Sequence, residues 1–297
     1  MRYFSSFVAP DLPEMGPGRC PDWIFLSRRA FISPRLNWTV AHGPTSDGTP
    51  VQVSLFAADP PAVSHLRVHC PGIEEQFHHN PAVAFSRDAL ILFDVTFDNG
   101  ISDYFIYRAG SKSTSLVRID DPEPNTRGSG LFNTGLVCCG ADHFAVAALF
   151  QDLMADVFKL SVFSSRTGVW TTKVVPLEPS SELLHEPNKL RRFWPDKVIP
   201  LKDSFLGWVD MWRGILLYDV LSDDPKLHYI PLPEPMPGNE GLKDQGESTF
   251  FRDVIGCGEV IKFVEVDYQY DGPESTDPNI YIPDDRCTAV TWSGELD

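Results

Sequence analysis

Hydrophobic and polar positions along this chain repeat in a weak, long-period pattern. Four segments share one layout: an apolar strand ending in an aromatic, a short polar turn, a second strand, then prolines. They are residues 54–71 (SLFAADPPAVSHLRVHCP), 105–124 (FIYRAGSKSTSLVRIDDPEP), 161–179 (SVFSSRTGVWTTKVVPLEP) and 216–235 (LLYDVLSDDPKLHYIPLPEP). The matching aromatics are Phe56, Tyr107, Phe163 and Tyr218, separated by 51, 56 and 55 residues. A period near 50 residues with β-rich units marks an array of small sheets, as in propeller blades. Three of these aromatics follow a partner segment (residues 82–95, 135–150 and 197–215) that reads strand, polar turn, strand. One unit is then four antiparallel strands, two of them more apolar and lining the core. The pattern predicts an all-β, β-propeller-like array of about five antiparallel small sheets.

The flanks of the array follow the same logic. Residues 1–21 are rich in proline and glycine and read as a flexible N-terminal arm, leaving 22–297 as a single β-repeat domain. Val51, Val53 and Leu55 alternate as in a half-buried strand. Residues 151–160 have a helical composition but, in register with their neighbours, read as strand and turn. Residues 180–193 offer a serine cap followed by Pro187, which allows only a short helix. Residues 250–268 open a fifth unit, an acidic loop follows, and CTAVTWSGELD begins another strand. The final sheet therefore reads as incomplete, unless the N-terminal segment closes the ring.

Composition narrows the class of protein. Hydrophobic residues make up 42% of the 297, enough for a sizeable core, and the 26 prolines and 21 glycines are spread as turns between short strands require. A net charge of −16 repels phosphate backbones and anionic lipid heads, which argues against nucleic acid or a membrane as partner. The six cysteines (20, 70, 138, 139, 257 and 287) show no zinc-ligand spacing, and Cys138 and Cys139 in the run LVCC read as buried thiols. The first residues lack a signal-peptide pattern, and the longest apolar run, residues 144–150, is too short to span a bilayer. These features predict cytoplasm or nucleus, and they make the sequon at Asn37 a chance match.

The segment FLGWVDMWRGILLYDVLSDDPKLHYIPLPEP, residues 205–235, resembles the signature of DUF1618, an uncharacterised plant family expanded in grasses. The resembling parts are Gly207-Trp208-Val209-Asp210, Trp212-Arg213-Gly214 and Leu232-Pro233-Glu234-Pro235. Residues 164–177, SSRTGVWTTKVVPL, also fit that family and resemble the Thr-Gly-x-Trp turn of kelch-type and F-box-associated repeats. The repeat unit extends the expected match from about residue 22 to the C-terminus. The resemblance implies a β-repeat domain but brings no activity, catalytic residue or cofactor. The Pro/Gly-rich first residues, which are not amphipathic, argue against a role as an F-box adaptor.

Candidate chemistry centres on WVDMWRG. In one continuous strand Trp208, Asp210 and Trp212 would share a face, with Arg213 opposite unless a turn intervenes. An aromatic-plus-carboxylate surface of this kind could bind a peptide or small ligand. The competing reading, which we favour, makes the rings core and has Asp210 bond backbone amides in a turn, with Gly214 supplying the turn conformation. Trp170, after the hairpin signal Thr167-Gly168, is expected to pack between sheets. His65 and His69 lie four apart in predicted strand and His78-His79 are adjacent, neither a metal-site spacing, so no metal or cofactor is expected. No nucleophile elbow or phosphate loop occurs, and the acidic pairs at 120–121, 223–224 and 284–285 sit at turns. The catalytic residues are therefore unassigned. The reading is a non-catalytic protein- or peptide-binding scaffold; the alternatives are a hydrolase or lyase with its site in a central channel, and a truncated family copy with little function of its own.

Overall fold

The computed structural model describes residues 9–12, 16, 21–72, 77–110, 114–120, 133–140, 142–185, 188–202, 204–222, 226–243, 248–269 and 286–295. It contains five small sheets, in agreement with the expected all-β array. The chain divides into two compact units, Met1–Leu131 and Phe132–Asp297.

In the first unit, strands β1 (Phe25–Leu26), β2 (Phe31–Ile32), β3 (Ala41–Pro44), β4 (Pro50–Phe56) and β5 (Val63–His69) form one sheet. Its β3–β4–β5 part is the expected antiparallel meander. The segment around residues 22–32 adds β1 and β2 parallel to β5, so this sheet is mixed. Strands β6 (Ala82–Arg87), β7 (Leu90–Thr96), β8 (Ser102–Arg108) and β9 (Ser115–Ile119) make the second sheet, antiparallel in chain order. The β6–β7 turn is the two residues Asp88-Ala89, with Asp88 at φ 52°, a conformation Asp tolerates better than most residues. One apolar core joins the two sheets, with Phe93 stacked on Phe105 at 5.5 Å. Polar contacts fix them against each other: the Tyr107 hydroxyl donates to the Thr39 carbonyl (2.8 Å), and buried Asp103 accepts the Ser46 N–H (2.9 Å). Within the stretch read as an arm, the Pro10 carbonyl accepts from Arg67 (3.1 Å) and Asp11 pairs with Arg35 (2.6 Å).

In the second unit, β10 (Thr134–Cys138), β11 (Phe144–Asp152), β12 (Val157–Ser164) and β13 (Val169–Val175) form an antiparallel sheet. Next come β14 (Lys197–Pro200), β15 (Phe205–Asp210), β16 (Gly214–Asp219) and β17 (His228–Ile230), then β18 (Arg252–Cys257), β19 (Val260–Gln269) and β20 (Arg286–Glu295). The last sheet has three strands among the described residues. Residues 151–160 are the end of β11, a turn and the start of β12, as their register suggested. The helix α1 (Ser181–His185) is a single short turn, and the Ser180 hydroxyl accepts the Leu183 N–H (3.3 Å). Among the described residues no helix is long and apolar enough to cross a membrane.

The repeated aromatics Phe56, Tyr107, Phe163 and Tyr218 are all buried, and the last three occupy the third strand of their sheets. Gly135 on β10 lets the next sheet close in: a Cβ there would lie 2.6 Å from the Leu206 side chain. Half-buried Trp170 packs on Phe163 of its own sheet, centroids 5.6 Å apart. Cys138 and Cys139 are half-buried thiols, less enclosed than their apolar run suggested. Cys20, residues 128–130, 223–224 and 284–285, and most of the acidic loop after β19 lie outside the described residues.

His65 is a buried imidazole stacked face to face on Phe56 at 5.5 Å, with Phe31 edge-on at 4.9 Å. Arg67 donates to its Nε2 (3.2 Å), so that nitrogen carries no proton. Burial, helped by the Arg67 charge, pushes the pKa down from 6.5 to about 4. A depressed histidine pKa stabilises the fold above 6.5, and that contribution is lost as pH falls through about 4. Denaturant titrations should therefore show stability declining across this window, and the His65→Leu variant should show a smaller decline than the parent.

Candidate functional site

The WVDMWRG stretch is not one continuous strand. Strand β15 ends at Asp210, residues 211–213 turn the chain, and β16 starts at Gly214. The stretch turns, as in the favoured reading, so Trp212 does not extend the strand face that holds Trp208 and Asp210. Trp208 is fully buried and its indole N–H donates to the Asn133 carbonyl (2.7 Å), linking β15 to the start of β10. Trp212 sits in the turn, half-buried.

Asp210 organises that turn. One carboxylate oxygen accepts the N–H groups of Trp212 and Arg213, both at 3.0 Å. The other accepts the Trp194 N–H (3.1 Å) and the Arg213 guanidinium (3.2 Å). Four donors occupy the acceptor sites of one carboxylate. Burial pushes its pKa up, against the pull of the Trp194 N–H and the Arg213 charge. Gly214, at φ 137°, closes the turn, and a Cβ there would lie 2.6 Å from the Ile230 carbonyl oxygen. Chemically the arrangement is a backbone clamp: its carboxylate points its lone pairs at the chain itself.

A second buried charge, absent from the sequence reading, anchors the same turn from the next sheet. Arg252, only 2% exposed, donates to the Met211 carbonyl (2.5 Å) and to the Pro233 carbonyl. Its Nε lies 3.3 Å from Glu265, itself 1% exposed. The guanidinium lies over the rings of Trp212 (5.2 Å) and Phe263 (4.8 Å). Glu265 also accepts from the Met236 N–H (2.9 Å) and Asn239 (2.8 Å). Asp196 completes the cluster, accepting the Met211 N–H (2.8 Å) and the Ser248 hydroxyl (3.0 Å). A sequence signal existed: in IKFVEVDY, Glu265 falls at the same parity as Ile261 and Phe263, which marks an acid among core positions.

An open groove of about 640 Å³ lies between β15–β17 and β19–β20. Phe205, Leu217, Ile230, Ile261 and Trp292 give it apolar walls, and the Lys202–Glu259 ion pair lies among its lining residues. His228, also in the lining, pairs with Glu178 at 2.5 Å. Among the described residues no three His, Cys, Asp or Glu side chains converge as metal ligands do.

The DUF1618 family model matches residues 208–296. The family is described as a protein of unknown function. The DUF1618 match begins at Trp208 and takes in Asp210, Trp212, Arg213, Arg252 and Glu265, and so covers the clamp and all of the groove's lining residues except Lys202 and Phe205. It is shorter than the repeat suggested, since residues 22–207 lie outside it. No curated protein matches the chain. Among solved structures, the WD40 domain of SCAP from fission yeast is similar, with 12% identity and a TM-score of 0.35, over 88% of this chain. The chain spans 63% of the length of that structure.

Removing one member of a buried ion pair strands the other. Arg252→Met should cost about 3–5 kcal/mol in urea denaturation, and adding Glu265→Leu should recover part of the loss. Trp208→Ala should cost about 3–5 kcal/mol by the same measurement, and Trp212→Ala less, because its ring is only half-buried.

Proposed function

We propose that this DUF1618-type chain is a non-catalytic protein-binding scaffold whose contact surface includes the groove between β15–β17 and β19–β20. The observation that carries the reading is the apolar lining of that groove beside exposed Trp292 and Val290, 37% and 46% accessible. Contiguous apolar surface left open to water is characteristic of interaction sites. The carboxylate that the sequence singled out, Asp210, accepts backbone amides, which favours a turn-holding role for the aromatic–acid motif over a reactive centre. The cysteine usage fits residence in cytoplasm or nucleus.

Affinity purification of the tagged chain from its native tissue tests the reading. A stoichiometric protein partner is expected, and Ile230→Lys, which places a charge in the groove wall, should release it. Turnover in a hydrolase substrate screen without any stoichiometric partner would overturn the proposal.

A further inference from the structure

Strand β20 is ten residues long and exposed along residues 287–293, and among the described residues it pairs only with β19. On β19 the Val266 N–H bonds the Phe251 carbonyl on the β18 side, at 2.8 Å. Neighbouring residues of a strand point their backbone groups to opposite sides, so Ile261, Phe263 and Glu265 face β20. Their partners are Gly294, Trp292 and Val290. The N–H and C=O groups of Cys287, Ala289, Thr291, Ser293 and Glu295 therefore point away from β19, along the outer edge.

Nothing in residues 287–295 blocks that edge: the stretch has no proline and no lysine, the usual devices against strand addition. Val290 and Trp292 share the face of Ile261 and Phe263, and Trp292 and Ile261 both line the groove. A strand added to β20 would lay alternate side chains over this apolar face. Charge selects what that strand carries. The chain as a whole carries a net charge of −16. That field repels a second copy of this chain and attracts a cation.

We propose that the outer edge of β20 receives an extended basic peptide from a partner protein as an added β-strand, with apolar residues toward the groove and Lys or Arg at alternate positions. This deepens the scaffold reading and rests on it.

Fluorescence anisotropy with a labelled ten-residue peptide alternating Val and Lys tests the edge directly, with its Val/Glu counterpart as control. Thr291→Pro deletes an outward N–H that β19 does not use, so the variant should melt like the parent. It should bind the basic peptide at least about tenfold more weakly, the equivalent of one lost hydrogen bond. Binding by the parent should weaken as salt rises, and the Val/Glu peptide should not bind. If Thr291→Pro fails to fold, Ala289→Pro asks the same question at another outward N–H. Equal binding by parent and a folded proline variant, equal binding of both peptides, no binding, or a β20-dependent dimer of this chain would each overturn the proposal. A stoichiometric cellular partner that persists with Thr291→Pro would overturn the edge site while leaving the scaffold reading intact.

Discussion

A small sheet of short strands with one apolar face cannot be stable by itself; it persists only by burying that face against a neighbour. That constraint governs both units. In the first, Tyr107 fills the core and reaches across to the Thr39 carbonyl. In the second, Trp208 is buried while its indole N–H reaches the Asn133 carbonyl. Each is an aromatic that supplies bulk and direction at once, because its polar tip has one acceptor to find. Gly135 shows the converse, a position where the absence of a side chain is what allows contact.

The second unit adds buried charge to this scheme. Arg252, Glu265 and Asp210 lose hydration, and each is compensated by carbonyls, amides or a counter-charge. Such a cluster is a weak source of net stability compared with apolar residues of the same size. What it supplies is geometry: a guanidinium that must reach Met211, Pro233 and Glu265 together tolerates only one placement of β18 against the 211–213 turn. The groove lies between the same two sheets.

Much of the fold was legible from a single chain of letters. The spacing of Phe56, Tyr107, Phe163 and Tyr218 marked the sheets because each unit must bury an aromatic at the same place. Asp210 was legible as a turn-former because short carboxylates bond nearby amides. Trp212 was harder to place, since a strand and a strand ending in a three-residue turn share one alternation until Gly214 breaks it. The parallel pairing of β1 and β2 was invisible, because two-residue strands leave no periodicity. Arg252 escaped notice for a different reason: its partners Met211, Pro233 and Glu265 are up to 41 residues away, and pattern along the chain carries no record of such distances.

The meander order of the sheets has a consequence for biosynthesis. Among the described residues, strands β10 to β13 each pair only with their sequence neighbours, so that sheet is complete within a stretch of about forty residues. A nascent chain leaving the ribosome can zip up one sheet before the next has been translated, and its exposed greasy face waits only for the following forty codons.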